Sequence, residues 1–234
     1  MSKKILVTAD YSQVELRIAA EVSGDKAMLE AFRNDGDLHA KTAENISGRS
    51  KENQTKEDRN AAKICNFALL YGAGAKSLRE YARINFKVLW TAEQAEEYVM
   101  IFRDAYPEFR QWQVETTKNA KETLFATTVL GKHRALHPEA YYTTSLNQPI
   151  QGAAAEVMKI ALINLDASLE RVPGAFLIST VHDEVGLECY PKDLEEVKEI
   201  LEIDMAGAML QVFPNAHTKG LIEINYGETW YDAK

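Results

Sequence analysis

Three groups of residues have types and spacings that could carry chemistry, and the first of them begins at Asp10. This residue ends the apolar run at 5–9 and precedes a helical pattern that starts at Ser12. A carboxylate at the end of a buried strand is well placed to hold Mg²⁺, which prefers oxygen ligands and keeps several waters. A second interpretation is that Ser12 and Glu15 form a capping box, which Asp10 merely precedes. From these residues alone, the capping interpretation is favoured over the metal site.

The second group is a row of side chains at four-residue intervals, consisting of Arg59, Lys63, Phe67 and Tyr71. Four residues advance about 40° around an α-helix, so these side chains form one slanted row. Two cations followed by two aromatic rings suit a polyphosphate, a sugar and a base. The alternative is an ordinary helix whose two rings belong to the core and whose two basic residues face solvent.

The third group is Val181-His182-Asp183-Glu184-Val185, in which polar residues separate two apolar segments. The flanking β-forming residues predict two strands joined by a tight turn. Asp is common in turns, so Asp183 could be present for the turn alone. If adjacent strand ends bring Asp183 to Asp10, the two carboxylates could bind a pair of metal ions suited to in-line phosphoryl transfer.

The elements that must position these groups are mostly helical, with strands near both ends of the chain. Hydrophobic periodicity and turn residues predict strands at 4–8, 124–130, 175–181, 185–189 and 221–226. They predict helices at about 12–24, 25–34, 38–47, 55–72, 91–106, 149–169 and 192–211, with Thr55 and Thr91 as N-caps. This order indicates an α+β fold, in which an antiparallel sheet carries an inserted helical subdomain.

Composition limits the kind of protein this can be. The 234 residues carry a net charge of −8, which argues against strong unaided DNA binding because Lys and Arg supply most of that affinity. Chemistry on DNA is not excluded, since a local basic stripe can exist on an acidic protein. No apolar segment approaches the roughly 20 residues that span a bilayer. Cys65 and Cys189 are far apart and predict reduced, buried thiols in a cytoplasmic protein.

Together and in this order, the three groups resemble the polymerase motifs of family A DNA polymerases. Residues 10–17, DYSQVELR, are similar to the family's DYSQ[IL]ELR motif, residues 59–72 to its fingers helix and residues 181–184 to its VHDE hairpin. Further similar runs are DLH at 37–39, GKHR at 131–134, NQPIQG at 147–152 and GETW at 227–230. The resemblance covers essentially the whole chain. The sequence departs from the family pattern at Ala68, His133 and Thr143.

The resemblance implies the catalytic core of a DNA-directed DNA polymerase, which adds deoxynucleotides to a primer 3′-hydroxyl and releases pyrophosphate. Asp10 and Asp183 would hold two Mg²⁺ ions, for which Mn²⁺ could substitute, by the two-metal mechanism. The Tyr11 carbonyl and Glu184 would be further ligands, with Glu184 the weaker one. Lys63 would be the proton donor to pyrophosphate.

The resemblance also implies a nucleotide site and a DNA site. The residues of the nucleotide site would be Arg59, Lys63, Phe67, Tyr71, Glu15, Gln13 and His39. Within it, the basic residues and His39 would bind the triphosphate, Glu15 would exclude a 2′-hydroxyl, and the two rings would support sugar and base. The residues of the DNA site would be Asn147, Gln151, His182, Lys132 and Arg134. The two amides would read the minor groove, where all correct pairs share acceptor positions.

The implied domains are a palm, residues 1–23 and 144–234, and fingers, residues 24–143, with the thumb and exonuclease domains absent. The implied partners are primer-template DNA, a deoxynucleoside triphosphate (dNTP) and a second polypeptide that supplies a thumb, and no membrane. One rival interpretation is a standalone minimal polymerase of very low processivity. The other is a non-catalytic nucleotide- or DNA-binding module that retains the fold. The intact Asp10 and Asp183 argue against a pure binding module, which needs no metal pair.

Overall fold

The computed structural model describes residues 3–34 and 36–233 and has an α+β fold with an antiparallel sheet, as predicted. The chain forms two compact units. The sheet unit comprises Met1–Val14 and Ala153–Lys234, and the helical unit comprises Glu15–Gly152. Along the sequence, the helical unit is therefore inserted between the two segments of the sheet unit.

Six strands and nine α-helices are assigned within the described ranges. The strands are β1 (Ile5–Tyr11), β2 (Phe125–Thr127), β3 (His133–Ala135), β4 (Phe176–Val181), β5 (Glu184–Cys189) and β6 (Ile222–Gly227). The helices are α1 (Val14–Ser23), α2 (Lys26–Asn34), α3 (Leu38–Ser47), α4 (Lys56–Leu70), α5 (Ala75–Tyr81), α6 (Ala92–Ala105), α7 (Pro107–Thr123), α8 (Tyr141–Leu169) and α9 (Leu194–Val212). Short 3₁₀ turns at Lys51–Asn53 and Pro191–Asp193 and a π-helical segment at Ala82–Phe86 complete the assignment.

The sheet unit is built on a four-stranded antiparallel sheet in the order β4-β5-β1-β6. The middle of β1 is buried at Val7, Thr8 and Ala9, as expected for a strand with neighbours on both sides. The Tyr11 hydroxyl donates a hydrogen bond to the Met205 carbonyl of α9 at 2.7 Å. This bond fixes the end of β1, where Asp10 lies.

Two capping boxes begin helices of the helical unit, and both start at residues predicted as N-caps. At α4, the Thr55 side chain accepts from the Asp58 N–H, and the Asp58 carboxylate accepts from the Thr55 N–H. At α6, Thr91 and Gln94 make the same reciprocal pair. Each box satisfies two backbone donors that the first helical turn leaves without a partner.

One buried carboxylate joins two further helices of this unit. The Asp25 Oδ1 atom accepts from the Met28 N–H at 3.0 Å, at the start of α2, and Oδ2 accepts from the Phe109 N–H at 3.1 Å, in the first turn of α7. Negative charge is favourable at helix N-termini. Burial nevertheless raises the pKa of Asp25 above its ordinary value. Asp25 thus couples the two helix starts through a single side chain.

The prediction that a long helix begins at Pro149 was wrong, because α8 begins eight residues earlier, at Tyr141. A proline inside a helix removes one backbone hydrogen bond and costs about 3 kcal/mol. Leu146 and Ile150, on either side of Pro149, are both fully buried. Their packing offsets the cost, so the helix continues through the proline.

The strand predicted at 124–130 is shorter than expected and has a partner that was not predicted. It covers only Phe125–Thr127 and pairs with His133–Ala135. The intervening turn is closed by the Gly131 N–H, which donates to the Thr128 carbonyl at 2.9 Å, and Gly131 has a φ of 86°. The positive φ explains a glycine at this position.

Both cysteines are free and buried, as predicted. Burial raises the pKa of the Cys65 thiol to about 12. Within residues 3–34 and 36–233, no helix is long and apolar enough to cross a membrane.

Candidate active site

The strand ends of the sheet unit bring four carboxylates together. Asp10, near the end of β1, lies directly opposite Glu184 of β5 and Glu223 of β6. Residues opposite each other on antiparallel strands place their side chains on the same face. The Tyr11 N–H donates to the Asp183 carbonyl at 3.1 Å, so the turn that carries Asp183 adjoins the same point. The condition that Asp10 and Asp183 lie at adjacent strand ends is therefore met.

The electrostatics of this acidic cluster favour a cation. The Oδ1 atom of Asp10 is buried and accepts no hydrogen bond among the described residues. Burial, and then the charges of Asp183, Glu184 and Glu223, raise the pKa of Asp10 to about 6. A buried carboxylate oxygen without a partner is costly, and a divalent ion would both coordinate it and offset the repulsion.

The donor set is only part of a coordination sphere. Among the described residues, no group of three or more His, Cys, Asp or Glu side chains is arranged to hold a metal ion by itself. Such an incomplete set suits Mg²⁺, which is commonly bound through one or two carboxylates together with waters and substrate phosphates. The carboxylates present thus fit Mg²⁺ better than an ion that needs a full protein cage.

The turn between β4 and β5 has an unusual backbone. Val181 pairs with Glu184, which leaves His182 and Asp183 as a two-residue turn. His182 has a φ of 57°, in the left-handed region where Gly or Asn is the usual choice. Asp183 lies within this turn, and the turn also places it beside Asp10.

In the helical unit, the predicted row lies on α4 and ends at Tyr71, the residue that follows the helix. The Arg59 guanidinium donates to Asp37 Oδ2 at 3.0 Å, and Asp37 Oδ1 caps α3 by accepting from the Ala40 N–H. Asp37 therefore fixes the position of Arg59. Lys63, one turn further along α4, is half-buried and lies close enough to His39 for its charge to act on the imidazole.

Phe67 is the exposed member of a largely buried segment. Its side chain is 37% exposed, whereas Asn66 and Ala68 on either side are buried. The ring lies beside that of His39, with centroids 5.6 Å apart and planes tilted by 51°. The alternative that Phe67 belongs to the helix core is therefore wrong.

His39 is a neutral base in this structure. The side chain is buried, and its Nδ1 atom lies 2.8 Å from Asn66 Nδ2. Burial is the main cause that lowers the pKa of His39 to about 4; the Asp37 carboxylate opposes it, and the charges of Lys63 and Arg59 add to it. At neutral pH, His39 can therefore meet an anion as a hydrogen-bond donor but not as a cation.

The neutral His39 predicts a specific pH dependence of stability. Its pKa in the folded state is depressed, so its contribution is present above about pH 6.5 and is lost as the pH falls towards 4. Relative to His39→Gln, the wild type should lose up to about 3 kcal/mol of unfolding free energy between pH 7 and pH 4. Urea unfolding of both proteins at several pH values measures this. A difference that stays constant with pH would show that His39 is not buried in its neutral form.

Glu15, Tyr71 and Gln151 form a second polar group in the helical unit. The Gln151 side-chain amide donates to Glu15 Oε1 at 3.1 Å. Burial, followed by the nearby Glu15 carboxylate, raises the pKa of Tyr71. The helix that carries Glu15 begins at Val14, and Gln13 before it has a φ of 53°.

Gly72 allows close packing next to this group. Its φ is 79°, and a Cβ there would lie 2.7 Å from Leu146 and 2.8 Å from Tyr142, both on α8. Any larger residue would therefore have a strained backbone and would push against these two side chains.

The residues predicted to contact DNA lie in three places. Asn147 and Gln151 are one helical turn apart on α8 and share a face. Lys132 and Arg134 are exposed on the β2–β3 hairpin. His182 is exposed at its turn in the sheet unit.

Sequence reasoning missed Glu223, which lies opposite Asp10. The strand that carries it was predicted, but nothing local indicates that β6 pairs with β1 or in which register. It also missed the buried side chains of Asn66, Thr42 and Tyr106, which form a chain of hydrogen bonds that ends at His39. Each of these contacts joins residues that are distant in sequence.

Known proteins resemble the whole of this chain. The sequence profile "DNA polymerase family A" matches residues 1–232. DNA polymerase I of Aquifex aeolicus is 39% identical over 205 residues, which cover 86% of this chain and 35% of that protein. The thermostable DNA polymerase I of Thermus aquaticus is 32% identical over 239 residues, covering 98% of this chain and 27% of that protein.

A solved structure also matches, titled "POL domain of Pol1 from M. smegmatis complex with DNA primer-template and dNTP". It superposes with a TM-score of 0.85 at 28% identity and covers 98% of this chain and 40% of that one. The chain thus spans about a quarter to two fifths of the proteins that it matches. On the match of the profile over nearly its full length, the chain belongs to DNA polymerase family A.

Proposed function

We propose that this chain is the catalytic core of a DNA-directed DNA polymerase, which extends a primer 3′-hydroxyl with deoxynucleotides and releases pyrophosphate. The observation that carries the proposal is the meeting of Asp10 and Asp183 at the end of β1, where Asp10 has a buried oxygen without a partner. Membership of the family and the relatives named DNA polymerase I support the same activity. A pure binding module would have no need of this group of mutually repelling carboxylates.

Asp10 and Asp183 would hold the Mg²⁺ ions, with the Tyr11 carbonyl and Glu184 as supplementary ligands. Bound Mg²⁺ supplies a lowered pKa for the primer hydroxyl and neutralises the charge that develops on pyrophosphate. Glu223 adds negative charge to the same cluster and thereby strengthens its attraction for cations.

In the helical unit, Arg59 and Lys63 would bind the triphosphate. Asp37 holds the Arg59 guanidinium, which limits the rotamer entropy lost when phosphate binds. Lys63 would protonate the departing pyrophosphate, and His39 would donate a hydrogen bond without adding charge. Phe67 and Tyr71 would support the sugar and base. Gln13, two residues before Glu15, would belong to the same nucleotide site.

Glu15 would act as the gate against a 2′-hydroxyl, because the bond from Gln151 holds its carboxylate in place. Glu15→Ala should raise ribonucleotide incorporation relative to deoxyribonucleotide incorporation at least about tenfold. Single-nucleotide kinetics with the two sugars measure the ratio. Glu21→Ala, on the same helix, is the matched control. If Glu15→Ala instead lowered only the free energy of unfolding, by the roughly 1 kcal/mol that a helix cap contributes, and left the ratio unchanged, the role of Glu15 as a gate would be refuted.

We assign residues 1–23 and 144–234 to a palm and residues 24–143 to fingers. The compact units, which divide at Val14 and Gly152, support an inserted fingers subdomain. Duplex contacts would come from Asn147, Gln151 and His182 and from the basic β2–β3 hairpin. A partner polypeptide would supply a thumb, since the chain's net charge of −8 gives it little attraction for duplex DNA.

Binding of primer-template DNA to this chain alone should be weak and should fall steeply with salt. Lys132→Ala and Arg134→Ala should each reduce the slope of log K against log salt by about 1, because each removes one phosphate contact. Fluorescence anisotropy at several salt concentrations measures the slope, and Lys192→Ala is the control. Tight binding at physiological salt, or unchanged slopes, would contradict the assigned DNA surface.

Primer extension in Mg²⁺ and in EDTA, with and without a thumb-bearing chain, tests the proposed function. Mg²⁺-dependent extension that becomes longer with the added chain is the expected result. Extension of a few nucleotides that the added chain does not change would favour a standalone minimal polymerase. Nucleotide binding without extension under any of these conditions would favour a non-catalytic module.

A further inference from the structure

A chain of hydrogen bonds between buried side chains ends at His39. The Tyr106 and Thr42 hydroxyl oxygens are 2.7 Å apart, Thr42 Oγ1 lies 2.8 Å from Asn66 Oδ1, and Asn66 Nδ2 lies 2.8 Å from His39 Nδ1. The four side chains come from α3, from α4 and from the junction of α6 and α7, all within the helical unit. Each of the four residues is at most 6% exposed.

With the Asn66 amide oriented as in the structure, the chemistry of the groups sets the direction of every bond in this chain. The Asn66 amide nitrogen is a donor, so His39 Nδ1 must accept and carries no proton. The Asn66 oxygen then accepts from the Thr42 hydroxyl, which leaves Thr42 able only to accept from Tyr106. The proton of the neutral imidazole must therefore be on Nε2.

The position of His39 suits an Nε2–H group that donates to an anion. The ring contacts the exposed Phe67, and the charges of Lys63 and Arg59, the two cations of the α4 row, act on it. An imidazole with its proton on Nδ1 would present a lone pair at Nε2 and would repel a phosphate oxygen. Asn66 precedes Phe67 in sequence and lies one turn after Lys63, so one helix carries both the row and the residue that orients the ring.

We propose that Asn66, held by Thr42 and Tyr106, is a positioning residue that keeps His39 in the Nε2–H form as a neutral donor to the phosphates of the incoming nucleotide. The phosphate part rests on the proposed function. The tautomer part rests on the hydrogen bonds alone. The two parts can therefore be tested separately.

The tautomer is measured in the wild-type protein by long-range ¹H–¹⁵N correlation spectra of the histidine rings at pH 7.5. His39→Gln identifies the His39 signals by their loss. The proposal requires an unprotonated Nδ1 and a protonated Nε2. A protonated Nδ1 would overturn it, because the Asn66 amide would then have the opposite orientation.

The effect on nucleotide binding is measured as the dissociation constant for a Mg²⁺–deoxynucleoside triphosphate, so that no catalytic turnover is needed. Thr42→Val removes the hydroxyl that orients Asn66 and should weaken binding about tenfold, the size expected for a hydrogen bond to a charged group. It should also give a mixture of His39 tautomers. Thr42→Ser retains the hydroxyl and should therefore show the wild-type dissociation constant and the single Nε2–H tautomer.

Two comparisons separate positioning from general loss of structure. Thr117→Val removes a hydroxyl that bonds to the Gln113 carbonyl on α7 and should leave the dissociation constant unchanged. In a His39→Gln background, Thr42→Val should cause no further weakening, since the residue through which it acts is absent. A tenfold loss that persists in that background would overturn the proposal.

Failure of this inference can be told apart from failure of the proposed function. A wild type that has the Nε2–H form and binds nucleotide, but adds none to a primer, would support the positioning role and contradict the polymerase. A wild type that extends primers while Thr42→Val binds nucleotide normally would do the reverse. A wild type that binds no nucleotide would overturn the positioning role.

Discussion

Asp10→Ala and Asp183→Ala are each expected to abolish nucleotide incorporation while the protein stays folded. Each change removes a carboxylate from the cluster at the end of β1, where Mg²⁺ would bind. Metal stabilisation of the transferring phosphoryl group is worth several kcal/mol, so the rate should fall at least about a thousandfold. Single-nucleotide incorporation at saturating Mg²⁺ measures the loss.

The folded state of these variants should be unharmed or improved, because burial and three neighbouring carboxylates already disfavour the ionised Asp10. Thermal unfolding in EDTA checks this for both proteins. Asp166→Ala, an exposed acidic residue of α8 in the same unit, is the control and should keep full activity. Incorporation within a few-fold of wild type in either active-site variant would rule out the assigned metal ligands.

The proposed nucleotide site should strongly reject dideoxynucleotides, and Phe67→Tyr is expected to remove most of this discrimination. A phenyl ring beside the sugar offers no hydrogen bond to replace the missing 3′-oxygen, whereas a tyrosine hydroxyl could occupy that space. Sites that sense a hydroxyl can discriminate by several orders of magnitude. The ratio of kcat/KM for the normal and the dideoxy substrate should therefore fall at least about a hundredfold, with little change for the normal substrate.

The substitution should change the discrimination without destabilising the fold, because the Phe67 ring is 37% exposed and an added hydroxyl can reach water. The melting temperature of Phe67→Tyr should therefore match that of the wild type. Phe125→Tyr, at an exposed ring of the β2–β3 hairpin, should alter neither the ratio nor the stability. An unchanged ratio together with a lowered melting temperature would return Phe67 to a structural role.

Local signals in the sequence were sufficient for much of this fold. The strand that ends at Asp10, the hairpin around Asp183 and the capped starts of α4 and α6 were all predicted, because each depends on neighbouring residues. From the sequence, Asp10 and Asp183 could be expected to meet only if their strands paired. That pairing depends on the β1–β5 register, which is set by contacts between residues far apart in sequence.

The features that could not be predicted all depend on tertiary contacts. Pro149 indicated a helix start, but the burial of Leu146 and Ile150 carries α8 through it. Glu223 reaches the acidic cluster through the pairing of β6 with β1. The neutral state of His39 results chiefly from its burial, and its contact with Asn66 joins residues that are 27 apart in sequence.

The most direct measurement of the central claim is template-directed addition of a single nucleotide. Four primer-templates that differ only in the first templating base are each mixed with one dNTP at a time, in Mg²⁺ and with a thumb-bearing chain present. We expect addition only of the complementary nucleotide, none in EDTA and none with Asp183→Ala. Addition that ignores the templating base, or that survives Asp183→Ala, would contradict the assignment of this chain as a polymerase core.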